Sequence, residues 1–365
     1  MTIHTATQLN SPHDLLAAVP FMVGYHPTNS LVVIALRDDQ ISMAMRMDFP
    51  LVQARDELVT NIVTHLERES TEIVILVGYL PTANKEQDPL VDIASGIESK
   101  GIAVKESIVV KDNRYRSTVC GDRQCCPPEG NLVPPMSDSR ITAEQVAMGN
   151  PLPFVDIDAM RQSIAPQAEN LGHLELQRAI SAIQEIDYDT IATHDLLIIQ
   201  RDGANAVSEF VNRFKVRGTC DDYELTALVL VRLLDLQVRD FAMGISIPEK
   251  TSGLATSSDV RTGWNIGDTW RWLLTMAPRG YVAPVAAIFA AFSYEQGEGA
   301  LAQRALDRAF EDDSSYQMAK LLRRTFAAGW PPSAFSQMRI DLHPKICAAL
   351  FGPSDGDVAL DDPAE

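Results

Sequence analysis

Residues 41–49, ISMAMRMDF, alternate without a break: Ile41, Met43, Met45, Met47 and Phe49 fall on one side, Ser42, Ala44, Arg46 and Asp48 on the other. A period of two demands a β-strand with one face buried. The preceding LVVIAL (31–36) is apolar throughout, as a central strand requires, and RDDQ (37–40) is short enough to join the two as a hairpin. The chain must therefore build a sheet. QARDELVTNIVTHLERES spaces Leu58, Ile62 and Leu66 as a helix and leads into the apolar strand EIVILVGYL. A helix around 88–100, stopped at Gly101, precedes AVKESIVV, and KDNR turns that strand into YRSTV. Upstream, SPHDLLAAV offers Ser11 as N-cap, Pro12 at the first helical position and Asp14 in the first turn, with Pro20 expected to end the helix. This order predicts an α/β (α+β) domain with a mixed sheet and packed helices.

From about residue 140 the strand pattern fades. LGHLELQRAISAIQEI aligns Leu176, Ala179, Ile180 and Ile183, and DDYELTALVLVRLLDLQVRDFAM is apolar on almost every side, which marks a helix surrounded by others. YVAPVAAIFAAFSYEQGEGALAQRALDRAFEDD reads as two helices broken at Gly297 and Gly299, a hairpin whose spacing is similar to half of a tetratricopeptide repeat. The expected division is a mixed-sheet domain over 1–150, which includes the cysteine-rich loop 120–130, a helical domain over 151–352, and a disordered acidic tail over 353–365.

A formal charge of −18, from 49 acidic against 31 basic side chains, repels phosphate backbones and anionic membrane surfaces, so neither nucleic acid nor membrane is an expected partner. No run approaches the ~18 apolar residues of a membrane span. The start, MTIHTATQLNSPHDLL, lacks the basic and apolar regions of a signal peptide, so the expected location is cytoplasmic. Five cysteines, an odd number, do not make a disulfide framework there. The phosphate-loop, dinucleotide-glycine, HExxH and GxSxG signatures are absent from the sequence.

The loop CGDRQCCPPEG, Cys120 to Gly130, places three cysteines within seven positions. Cys120, Cys125 and Cys126 could give zinc three thiolates, with His26 or another group as fourth ligand, or form a redox switch activated by Arg123. A second knuckle is missing and adjacent cysteines are expected to diverge, so the expectation is no tight zinc and no other cofactor. The structural reading has small thiols, at least one of Cys125 and Cys126 buried, under a crossing stiffened by Pro127 and Pro128. His26, in GYHPTNS, is either a ligand or acid–base group at a strand edge or an imidazole satisfied within a tight turn. Arg46 with Asp48, and Arg114 with Arg116, each share a strand face and could build an anion pocket or a salt-bridge ladder. Trp264, Trp270 and Trp272 form the densest aromatic cluster, an interface anchor or, at helical spacing, core.

Taken in order, SPHDLLAAVPFMVGYHPTNSLVVIAL, MRMDFP, CGDRQCCPPEG and GYVAPVAAIFAAFSYEQGEGALAQRALDRAF resemble the domain of unknown function 4192 family of actinobacteria. The likeness covers most of the chain and leaves the acidic tail outside. It implies that His26, Arg46 and Cys120 to Gly130 belong to recurring motifs, and it supplies no catalytic residues. The leading expectation is an interaction or regulatory module that binds a protein partner through its helical half. The alternative is an enzyme or small-ligand sensor with a pocket near His26, Arg46 and the cysteine loop; a concave pocket lined by those side chains would favour it.

Overall fold

The computed structural model describes residues 9–38, 40–86, 88–167, 171–245 and 266–352. The tail 353–365 and Trp264 lie outside the described residues. The chain forms two compact units, Met1–Met160 and Arg161–Glu365.

The first unit opens with α1 (Pro12–Val23), whose N-cap Ser11 accepts the Asp14 N–H at 3.1 Å. Contrary to expectation, Pro20 does not end this helix. It runs on to Val23 and stops where Gly24, at φ +84°, donates its N–H to the Pro20 carbonyl at 2.8 Å. Then come β1 (Ser30–Arg37), β2 (Gln40–Asp48), α2 (Arg55–Arg68), β3 (Ile73–Tyr79), α3 (Val91–Glu98), β4 (Ala103–Lys111), β5 (Arg114–Ser117), β6 (Asn131–Leu132) and α4 (Arg140–Ala147). They make a mixed six-stranded sheet in the order β2-β1-β3-β4-β5-β6, in which only β3 and β4 run parallel.

The alternation in β2 is used as written from Met43 onward, whereas a register shift between Ala35 and Leu36 sets Ile41 opposite Leu36 and takes it out of this row. Met43, Met45, Met47 and Phe49 pack on a core made by Leu31 and Val33 of β1, Leu76 of β3, Ile62 and Leu66 of α2, and Ile93 and Ile97 of α3. Val32, Ile34, Val77 and Ile108 belong to the opposite face and are fully buried. There α1 packs against β2 and α4, and it is buried continuously from Leu15 to Val23. A helix placed between a sheet and another helix has no use for a polar stripe, which is why LLAAVPFMV has none.

The second unit is helical: α5 (Ile157–Gln162) crosses into it, followed by α6 (Leu171–Ala182), α7 (Thr193–Arg217), α8 (Tyr223–Arg232), α9 (Leu236–Ile245), α10 (Ile266–Met276), α11 (Val282–Glu295), α12 (Gly299–Asp312), α13 (Gln317–Ala327) and α14 (Pro332–Phe351). The apolar stretch 221–243, expected as one helix, is two. Asp235 interrupts it by accepting the N–H groups of Gln237 (2.8 Å) and Val238 (3.2 Å), which starts α9 afresh. At the centre lies α11, every residue of which from Val282 to Ser293 is buried. It contacts α9, α10, α12, α13 and α14, and its alanines let those helices come close. The Asp312 carboxylate, at the end of α12, accepts N–H groups of Gly280, Val282 and Ala283 at 2.6–3.0 Å and so caps the start of α11. No helix among the described residues is long and apolar enough to cross a membrane.

Candidate functional site

Two adjacent parallel strands share a carboxyl end of the sheet, the end at which ligands sit in open α/β sheets. Here β3 and β4 are that pair. The turn between α1 and β1 closes over the same end, because Ser30 pairs with Tyr79, the last residue of β3. That turn is pinned by two backbone bonds, His26 N–H to Phe154 O at 3.0 Å and Phe154 N–H to Gly24 O at 2.9 Å. His26 is thereby held in the lining of a cavity of about 250 Å³. Leu16, Ala17 and Pro20 of α1 form one wall, with Tyr79 and Val110 from the sheet, Asn113 from the β4–β5 turn, and Pro27, Val133, Pro134 and Met136 completing the lining.

Few polar groups face this cavity. The His26 ring and the Tyr79 hydroxyl have no hydrogen-bond partner among the described residues. Burial lowers the His26 pKa from 6.5 and raises that of Tyr79, so both are neutral at pH 7. Pro20 adds a third group: lacking an N–H, it leaves the Leu16 carbonyl without its α-helical donor, and both residues line the cavity. Among the described residues no Lys, Arg, Asp or Glu contributes to the lining. The arrangement suits a compact uncharged molecule able to exchange hydrogen bonds with an imidazole and a phenol.

Arg46 lies nearby but outside the lining. Its guanidinium donates to Ser30 Oγ at 2.9 Å, pairs with Asp48 at 2.7 Å and sits 5.9 Å from the Tyr25 ring centre. The two arginine pairs do not converge. Arg46 is opposite Val32, Val32 opposite Val77, and Val77 opposite Ile108, whereas Arg116 is opposite Val109 and so belongs to the other face. Arg116 pairs with Asp88 at 3.1 Å, and Arg114 donates to the Gly130 carbonyl at 2.7 Å. An anion pocket made of all four ionic groups is thus excluded by register. Trp270 is wholly buried, and Trp272 packs 6.0 Å from Phe210 and 5.7 Å from Phe214, so both belong to the core of the helical unit.

The cysteine loop departs from expectation in two respects. Neither Cys125 nor Cys126 is buried: Cys125 is exposed, and Cys120 and Cys126 are half-buried. Nor do the adjacent thiols diverge, because the Cys126 N–H reaches back to the Asp122 carbonyl at 2.7 Å, and this helix-like turn rotates consecutive side chains far less than a strand would. The Sγ atoms of Cys120, Cys125 and Cys126 all lie within 4.8 Å of one another. Desolvation pushes the Cys126 thiol up to about 11.

Sequence reasoning missed Tyr79 and the Leu16–Pro20 step. A proline within an apolar helical run, four residues before a capping glycine, was the available signal. No curated protein and no solved structure matches the chain. The family model described as domain of unknown function (DUF4192) spans residues 12–333, from the first residue of α1 into the start of α14, and the chain belongs to that family.

Proposed function

We propose that the N-terminal unit is a small-ligand binding module whose cavity takes a compact, uncharged, largely apolar molecule. One observation carries this reading: two neutral side chains, His26 and Tyr79, without hydrogen-bond partners among the described residues, line a largely apolar cavity at the carboxyl ends of β3 and β4 to which no described charged side chain contributes. Unpartnered imidazole and phenol groups in such a place are satisfied by a ligand or by water. At about 250 Å³ the space exceeds the ~150 Å³ that admits benzene and falls below the ~300 Å³ at which drug-sized sites begin. A molecule of one or two rings with a hydroxyl, amide or carbonyl group fits those bounds. The helical unit supports a partner-binding role less well, since Trp270 and Trp272 serve its core.

Thermal unfolding of the full chain with a panel of neutral one- and two-ring compounds tests this. A ligand at 100 times its Kd adds about 2.7 kcal/mol, a rise of roughly 5–10 °C in Tm. Ala17→Phe, which fills the cavity from α1, should fold, as circular dichroism would verify, and lose the response. An equal response in Ala17→Phe, or none to any neutral compound, would overturn the proposal.

The same site predicts a pH dependence. Since burial lowers the His26 pKa below 6.5, ligand affinity should be flat above that pH and fall below it, as protonation places an unpaired charge in an apolar cavity. Calorimetric titration of a bound compound at several pH values should give that profile, and His26→Gln should flatten it. A pH-independent affinity in the parent protein would contradict the role of His26.

A further inference from the structure

Surface thiols seldom gather for packing. Cysteine is most often buried, where it fills space as a small apolar group. Cys120, Cys125 and Cys126 bring three sulfurs within 4.8 Å of one another although none of the three is buried, so core packing does not explain their convergence. Local backbone bonds impose it. Ser117 Oγ donates to Glu106 at 2.6 Å and accepts the N–H groups of Cys120 (3.1 Å) and Val119 (3.3 Å), which ties the first cysteine to the end of β5. The Asp122 side chain accepts the Gln124 N–H at 2.8 Å and its carbonyl accepts the Cys126 N–H, winding the other two back towards the first. Asn131 Nδ2 holds the Cys125 carbonyl at 2.8 Å, and the Gly130 N–H closes the following turn on Pro127 O at 2.8 Å.

We infer that these three cysteines form a binding site for a thiophilic closed-shell metal ion, zinc(II) or copper(I). Zinc–sulfur bonds of about 2.3 Å place sulfurs about 3.8 Å apart in a tetrahedron. Sulfurs already within 4.8 Å need close by no more than about 1 Å per pair to reach it. Each thiol releases its proton to solvent as it binds, up to three protons per ion, and no electron is transferred. Among the described residues no His, Asp or Glu joins the group, so the protein supplies three ligands and leaves the fourth zinc position to water or an external donor, as in reactive zinc sites. Copper(I) would be complete with three thiolates. A disulfide uses two sulfurs and leaves the third without a role, whereas a metal ion uses all three.

The test uses the full chain, purified under reductant, stripped with a chelator and handled without oxygen. Cobalt(II) should bind at one equivalent, with the thiolate charge-transfer and visible bands of a tetrahedral ion, and zinc(II) should displace it. Competition against a chromophoric copper(I) chelator decides which ion the site prefers. Cys120→Ser, Cys125→Ser and Cys126→Ser should each weaken binding at least about 100-fold, while Cys220→Ser and Cys347→Ser, remote in sequence, should not. Cys→Ala variants replace any serine variant that fails to fold. Saturating zinc should also protect Cys120, Cys125 and Cys126 from alkylation in the unmodified protein. Absence of the cobalt charge-transfer band together with no protection by zinc or copper(I), or bands that persist unchanged in all three variants, would overturn the inference.

Discussion

Arg339→Ala is expected to lower the stability of the chain by about 3–5 kcal/mol. Arg339 of α14 and Glu295 of α11 are 5% and 8% exposed, with Nε and Oε1 3.0 Å apart, and α11 is the helix around which the second unit is built. Desolvation already pushes the Glu295 pKa up and the guanidinium opposes that shift, so removing Arg339 leaves a buried carboxylate with no counter-charge. A carboxyl whose folded-state pKa is raised is relatively stabilising below its unfolded value of 4.5, and this contribution is lost as pH rises through the folded value. The deficit of Arg339→Ala should therefore be smaller near pH 4.5 than at pH 7. The double replacement Arg339→Met with Glu295→Leu should recover most of it, since apolar side chains of similar size often substitute for a buried pair without loss. Urea unfolding at the two pH values measures all of this; a single variant within 1 kcal/mol of the parent at pH 7 would contradict it.

Trp270→Ala should cost about 3–5 kcal/mol as well, by a different route. The side chain is fully buried in α10, so truncation leaves a large cavity that rigid neighbours cannot fill. Among the described residues its indole N–H has no hydrogen-bond partner, so Trp270→Phe should lose packing volume but no polar contact and fall clearly short of the alanine cost. An interface anchor would behave in the opposite way, leaving the melting temperature unchanged in Trp270→Ala. A shift under about 2 °C in that variant would reject the core assignment.

What was legible in the sequence follows from how local the cause is. The β2 alternation depends on one face being buried, and Met43 to Phe49 declared it. Ser11 and Asp14 act within one turn, so the start of α1 could be read directly. Pro20 misled because a proline ends a helix only when nothing rewards continuing it, and here the next turn, Phe21 to Val23, is buried. β6 pairs two residues only, too short for any period to register. The cavity was illegible for a further reason: His26, Tyr79 and Asn113 are far apart in sequence and meet only because the Ser30–Tyr79 register and the parallel β3–β4 pair bring them to one end of the sheet. The cysteine geometry turned on one i to i−4 backbone bond, from Cys126 to Asp122, which residue spacing does not reveal.

His26 and Tyr79 are the two groups of the cavity that would offer hydrogen bonds to a neutral ligand. The most direct test of that role is heteronuclear NMR of the full chain carrying selectively labelled histidine, tyrosine and alanine, titrated with the strongest compound from the thermal panel. The expected result is saturable shifts of the His26 ring nitrogens and of the Tyr79 ring, with nuclear Overhauser contacts from the ligand to both rings and to the Ala17 methyl group. Contacts from the bound ligand to other histidines and tyrosines, with His26 and Tyr79 unmoved at saturation, would contradict it.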